Sequence, residues 1–248
     1  MRMVALIPAR AGSRRIPGKN TKLLAGHPLI AYTIAAAQQS GVFTYIAIAA
    51  DDESALSLAQ VWSVTRIWRE PASDDQPDIV WVRQALSNFR NDNTSFGRPE
   101  AFAILRPTSP FRTADTIRRA FEQFHAMGDC CDSLRAVEPV KQHPYKMWIC
   151  AGPGYPITPL HPGAHPDGTP WHSSPTQSLS TVYVQNSSLE MAWTRCVEVF
   201  GTISGRKVAP FFTQRFEGFS IDYPEDWARA EHLIATGQVK LPDVHVSA

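Results

Sequence analysis

Short apolar runs alternate with helix-patterned stretches through the first half of the chain, and this alternation limits the possible folds more than any other feature. MVALIPA, near the start, is almost wholly apolar and runs into a glycine-containing loop, the pattern of a strand buried on both faces. HPLIAYTIAAAQQSG follows with apolar residues at helical spacing and Gly41 as its stop. YIAIAAD, VTRIWR and AFAILRPTSPF read as further strands. DESALSLAQVW, DIVWVRQALSNF and TADTIRRAFEQFHAMG read as the helices after them. Strand and helix in strict alternation predict an α/β fold: a Rossmann-like, mostly parallel sheet with helices on both faces.

The pattern changes after Cys131. SLRAVEP suits one more strand, but residues 139–180 are crowded with Pro, Gly, His and Ser. Such a segment is too polar and too interrupted to own a core, so it reads as an inserted arm within one domain spanning 1–248. TVYVQNSSLEMAWT then restores strand-and-helix texture, and PEDWARAEHLIATG closes the chain as an amphipathic helix.

Charge excludes some functions. With 24 Lys and Arg against 23 Asp and Glu, the formal net charge is +1, which gives no general attraction to nucleic acid or to a membrane. No stretch approaches the roughly 20 apolar residues of a membrane span. Cys130, Cys131, Cys150 and Cys196 follow no zinc or CxxC spacing, and reduced thiols in a cytoplasmic protein are expected.

Against that neutral background one loop is strongly cationic. ARAGSRRIPGKN sets Arg10, Arg14, Arg15 and Lys19 around Gly12 and Gly18 directly after the first strand. A glycine-containing basic loop at the carboxyl edge of a parallel sheet suits an anion, because backbone N–H groups and side-chain cations converge there. A solvated basic turn is the bland alternative. The loop has neither the GK[ST] ending of a Walker motif nor GxGxxG.

IPARAGSRRIPGKN resembles the signature loop of the N-acylneuraminate cytidylyltransferases, the CMP-sialic acid synthetases, a group that includes legionaminic and pseudaminic acid enzymes. ILRPTSPFR is similar to that family's segment after the central strand, and REPASDDQPDIVWVRQAL to its Arg-then-Asp stretch. VYVQNSSLEMAW and EGFSIDYPEDWARAE resemble its sugar-site strand and its metal-binding turn. The matches run almost end to end and in the family's order.

The resemblance implies a nucleotidyltransferase. The anomeric hydroxyl of a nine-carbon nonulosonic acid attacks the α-phosphate of CTP, and pyrophosphate leaves. Such chemistry needs neutralisation of negative charge more than covalent help. Carried over residue by residue, Arg10, Lys19 and Asp222 are the expected catalytic set, with Asp222 at an Mg2+ ion. Ala11, Gly12, Ser13, Arg14, Asn20, Arg69, Asp75, Thr108 and Ser109 fall at nucleotide positions, although Asp74 fits as well as Asp75. Arg106, Gln142, Lys146, Gln185 and Asn186 fall on the sugar side. The family's arm also packs against a second subunit, so a homodimer is expected, with Tyr145, Trp148 and Trp171 as anchors.

Several of these positions carry a second reading. The family often has Gln where this chain has Arg106. A guanidinium there either binds a sugar carboxylate through paired hydrogen bonds or pairs with a neighbouring acid. Thr108 and Ser109 either touch nucleotide or cap a turn. Asp51, Asp52 and Asp78 read as helix caps. Arg112 reads as part of the next helix's surroundings. The family usually carries Asp-Ile-Asp or Asp-Ile-Asn where this chain has Ser220, Ile221 and Asp222. If that segment is a strand, Ser220 and Asp222 project to one face. If it is a capped helix start, Asp222 lies near the cap and Pro224 in the first turn. The other readings are a transferase for a different acidic sugar, and a weakened nucleotide- or sugar-binding homologue that lacks the first Asp.

Overall fold

The structure is a computed structural model that describes residues 1–70, 76–89 and 97–245. The chain forms two compact units, one made of Met1–Val137 with Asn186–Ala248, the other of Glu138–Gln185.

The larger unit is built on a seven-stranded sheet. Its strands in chain order are β1 (Met3–Ala9), β2 (Tyr45–Ala50), β3 (Thr65–Trp68), β4 (Ala101–Ile104), β5 (Ser133–Pro139), β6 (Tyr183–Trp193) and β7 (Val208–Phe212). Their spatial order is β7-β5-β6-β4-β1-β2-β3. β1 pairs in parallel with β2 and with β4, and β2 in parallel with β3. β6 runs antiparallel to β4, so the sheet is mostly rather than wholly parallel. β7, which the sequence pattern does not announce, is a short edge strand beside β5. Its residues alternate exposed and buried, and Pro210 is accommodated because an edge strand has a neighbour on one side alone, so a missing N–H is tolerated there.

β1 shows why the helices cover both faces. Met3, Val4, Ala5, Leu6 and Ile7 are all fully buried. Met3, Ala5 and Ile7 pack into one cluster with Ile34 and Phe124, whereas Val4 and Leu6 pack into another with Trp81 and Val82. A period of two thus supplies two cores, and both need a helical layer. The first cluster takes residues from α1 (Leu29–Ser40), α2 (Glu53–Val61) and α4 (Ala114–Met127). The second takes them from α3 (Asp78–Asn88) and α5 (Thr194–Glu198). Gly41 ends α1 at φ 69°, a conformation that favours glycine. A third cluster joins Leu24, Leu29, Phe111 and Ile221 to Trp227 and Leu233 of α6 (Pro224–Ala235). By burying Ile221 it anchors the segment that carries Asp222.

The smaller unit, taken by itself, has little regular structure. Trp148–Ile149 pairs with Thr158–Pro159 in a two-residue ladder. Tyr145 stacks on Trp171 at 4.3 Å between ring centres, with His143 and His161 edge-on to Tyr145. Trp148, Ile149, Tyr155 and Ile157 are exposed.

Candidate active site

Parallel strands deliver their following residues to one edge of the sheet. Arg10 follows β1, Asp51 follows β2, Arg69 follows β3, and Arg106 lies two residues beyond β4. A cleft at that edge is lined by Arg10, Ser13, Lys19, Asn20, Arg69, Gln76, Asp78, Trp81, Arg106 and Thr108. A second, adjoining cleft shares Arg10, Ser13 and Lys19 and adds Gly12, Arg14, Arg15 and Asp222. Ala11 and Asn20 line a third hollow with Asp52.

The basic loop is shaped by its own backbone. The N–H of Ser13 donates to the carbonyl of Ala11 at 2.9 Å, and those of Thr21 and Lys22 donate to the carbonyl of Gly18. Gly18 takes φ 61°. Gly12 needs no positive φ, and a Cβ there meets nothing within 4 Å, so the folded chain itself sets no demand for glycine. Asn20 donates through Nδ2 to the carbonyl of Arg10 at 3.3 Å, tying the two ends of the loop together. The guanidinium of Arg15 lies over the Tyr223 ring at 4.3 Å.

Lys19 bridges the chain's two ends. Its Nζ donates to the carbonyl of Ile221 at 2.7 Å and lies 3.3 Å from Oδ1 of Asp222. The other carboxylate oxygen, Oδ2, accepts the hydroxyl of Ser220 at 2.8 Å. The N–H of Ile221 donates to the carbonyl of Thr108 at 2.8 Å, so the turn after β4 is coupled to the same segment. Ser220 and Asp222 lie in no strand. A hydroxyl–carboxylate bond, not strand periodicity, brings their side chains together. Asp226 accepts from the N–H groups of Asp222 and Tyr223, and Pro224 opens α6.

The other wall is a network of paired charges. Arg106 Nη2 donates to Asp78 at 2.6 Å and to Glu190 of β6 at 3.0 Å. Arg135 Nη1 lies 2.8 Å from the second oxygen of Glu190 without the alignment of a hydrogen bond. Burial opposes ionisation of Asp78, but Arg106, the Trp81 indole N–H and Arg69 outweigh it and hold the carboxyl below its usual range. Burial likewise works against the charge on Arg106, and Asp78 and Glu190 more than restore it. Arg69 is buried, and desolvation pulls its guanidinium down despite Asp51 and Asp78. It lies 5.4 Å from the Trp81 ring centre, and its Nε is unpartnered. Thr108 lines the cleft, whereas Ser109 is buried with its hydroxyl unpartnered.

Three expected caps need correction or division. Asp52 does cap α2, accepting from the N–H groups of Ser54 and Ala55. Asp51 does not: its Oδ1 accepts the N–H of Ala11 at 2.7 Å and braces the basic loop. Asp78 is not a cap either, because Pro77 precedes the helix and the Asp78 carboxylate turns to Trp81 and Arg106. Glu190, Arg135, Trp81 and Gln76 escaped the sequence reading. Asp74 and Asp75 lie outside the described residues.

The remaining candidates sit elsewhere on the chain. Asn186 donates through Nδ2 to the Thr213 hydroxyl at 2.9 Å and accepts the N–H of Ser188. In the smaller unit, Lys146 Nζ donates to the carbonyl of Ser174 at 2.6 Å, and Gln142 and Gln185 are exposed.

A basic loop and a carboxylate turn meeting at the carboxyl edge of a mostly parallel sheet define a nucleotide-handling α/β transferase. The chain belongs to the cytidylyltransferase family: the family model matches residues 4–144. It is 32% identical to the CMP-N,N'-diacetyllegionaminic acid synthase of Legionella pneumophila, over 97% of this chain and 100% of that one. It is 34% identical to an N-acylneuraminate cytidylyltransferase of Escherichia coli over 51% of this chain and 29% of the other. A pseudaminic acid cytidylyltransferase of Campylobacter jejuni is 32% identical over 50% of this chain and 53% of its own. Among solved structures, a CMP-2-keto-3-deoxy-manno-octonic acid synthetase in complex with CTP shares the fold at TM-score 0.67 and 13% identity. That match covers 96% of this chain and 100% of the other. A 4-diphosphocytidyl-2C-methyl-D-erythritol synthase from Anaerococcus prevotii does so at 0.60 and 13%, covering 94% and 98%. The chain is a nucleotidyltransferase enzyme of this family.

Proposed function

We propose that the enzyme transfers CMP from CTP to the anomeric hydroxyl of a nonulosonic, sialic-type acid and releases pyrophosphate. The observation that carries this reading is the meeting of Lys19 with Ile221 and Asp222, 202 and 203 residues away, in a cleft that also holds Arg10 and Ser13. In the reaction the anomeric oxygen bonds to the α-phosphorus, the bond to the β-phosphate oxygen breaks, and the hydroxyl proton is released. Arg10 and Lys19 neutralise the triphosphate. The N–H of Gly12 and the hydroxyl of Ser13 donate to phosphate oxygens, with Arg14, Asn20, Arg69 and Thr108 around the nucleotide.

The donor set suits magnesium. Asp222 offers one carboxylate beside the Ser220 hydroxyl, and no group of three or more metal-binding side chains exists among the described residues. Magnesium is commonly held in this way, through one or two carboxylates, phosphate oxygens and water. Asp222 would hold the ion, which would supply positive charge at the reacting phosphate. Arg106 already spends one Nη on two acids, so its contact with a sugar carboxylate would use its remaining donors. Gln142, Lys146, Gln185 and Asn186 are assigned to the sugar, and residues 139–180 to a homodimer contact. No helix among the described residues is long and apolar enough to cross a membrane, and we assign the enzyme to the cytoplasm.

Pyrophosphate release from CTP should be measured with neuraminic, legionaminic and pseudaminic acids at millimolar magnesium. Turnover with one of the three is expected. No release with any of them overturns the substrate assignment.

A further inference from the structure

Arg112 is 1% exposed, and the described residues place no carboxylate against it. Its guanidinium donates instead to neutral oxygens. Nη1 and Nη2 both reach the carbonyl of Arg106, at 3.2 and 3.3 Å. Nη1 also reaches the carbonyl of Ser188, and Nη2 the Thr33 hydroxyl at 2.8 Å. Nε has no partner. Burial alone pulls this guanidinium down, to about 9, which still leaves it charged at neutral pH.

A buried cation without a counter-charge opposes folding, so a leucine or methionine would fill the space at less cost. The retained arginine sits where three elements meet. Thr33 is on α1, Arg106 opens the turn after β4, and Ser188 is on β6 two residues before Glu190. A planar fork fixes the separation of two carbonyls in a way that no apolar side chain can. One carbonyl belongs to Arg106, and the other to the strand bearing the carboxylate that the Arg106 side chain grips. The same turn carries Thr108, whose carbonyl holds the N–H of Ile221, and the carbonyl of Ile221 holds Lys19. From Arg112, backbone contacts therefore run to both walls of the cleft.

We propose that Arg112 is a positioning residue for nucleotidyl transfer, fixing the turn at 106–109 so that Arg106 meets Glu190 and Lys19 meets the 221–222 segment. The role rests on the proposed reaction for its effect on turnover, but not for its effect on CTP binding.

The test compares Arg112→Met, Arg112→Lys and Phe124→Leu with the unaltered protein. Phe124 is fully buried in the core, its ring 5.0 Å from that of Trp193, and it serves as a stability control outside the cleft. CTP affinity is read by calorimetry, folding by circular dichroism and thermal unfolding, and turnover with the sugar the panel identifies. Arg112→Met is expected to weaken CTP binding about tenfold and to lower kcat further, while Phe124→Leu leaves affinity within about twofold. Arg112→Lys keeps the charge without the fork, and about a threefold loss of affinity is expected if Arg112→Met does not fold. Unchanged CTP affinity in Arg112→Lys, or a loss matched by Phe124→Leu, overturns the proposal. An unaltered protein that binds CTP but turns over no sugar overturns the substrate assignment instead, and the affinity comparison still decides the role of Arg112.

Discussion

The two walls of the cleft use arginine and lysine in opposite ways. On the loop side, Arg14 and Arg15 are exposed, and Lys19 reaches inward to a carbonyl and a carboxylate. On the strand-end side, Arg69, Arg106 and Arg112 are largely withdrawn from water, and their charges are met by acids, an aromatic face or carbonyls. Exposed cations on a loop remain hydrated and can exchange water for an incoming phosphate. Buried cations have already been desolvated, and what they hold in the folded chain fixes the donors they have left. The difference separates cations placed chiefly for the substrate's charge from cations that also hold the site's geometry.

The largest effect should follow from breaking the loop side. Lys19→Ala removes a cation that joins the loop to Asp222, and turnover is expected to fall about 10²–10³-fold while the fold is kept. Asp222→Asn should cost nearly as much, because it removes the carboxylate at the same junction. Steady-state pyrophosphate release together with thermal unfolding measures both. A nearly normal rate in Lys19→Ala would show that the loop's charge is a solvation device after all.

Breaking the strand-end side should read out in stability first. Glu190→Ala leaves Arg106 and Arg135 facing each other across the missing charge, and a loss of about 3 kcal/mol in urea unfolding is expected for a broken buried pair. Adding Arg106→Met should cost less than the same change costs alone, since one of the two acids it holds has already gone and only the pair with Asp78 is left to lose. Strict additivity of the two changes would mean that the ion pairs are incidental to the wall.

The two sides also differed in how far sequence revealed them. The loop side was legible: a continuous apolar run marked β1, and four cations with two glycines after it marked the loop whose Arg10 and Lys19 line the cleft. Burial, as in β1, leaves a mark on every residue of a strand, so pattern suffices. The strand-end side depends on pairing between residues 84 apart, Arg106 with Glu190, and no local spacing records that. Asp51 and Asp52 make the same point at close range. They are chemically identical neighbours, yet one caps a helix and the other holds the N–H of Ala11, according to which side of the strand end each faces. β7 was missed because its alternation is only five residues long and contains a proline.

The smallest expected effect concerns Ser220, where the loop side departs from the Asp its family usually carries. Asp222 has one oxygen facing Lys19 at 3.3 Å and the other accepting the Ser220 hydroxyl at 2.8 Å. A hydroxyl is a neutral, weak partner for magnesium, so the ion would rest mainly on Asp222, the triphosphate and water. Ser220→Asp adds a carboxylate beside that position. It is expected to lower the half-activating magnesium concentration about three- to tenfold, with sugar preference unchanged. Ser220→Ala, which removes only the hydroxyl, should shift the same curve by less than about twofold. Rate against magnesium concentration, with direct manganese binding as an independent readout, measures both. If Ser220→Asp moves neither the activation curve nor manganese affinity, the ion is held away from this turn, and Lys19 and Asp222 form a structural pair rather than a shared phosphate and metal site.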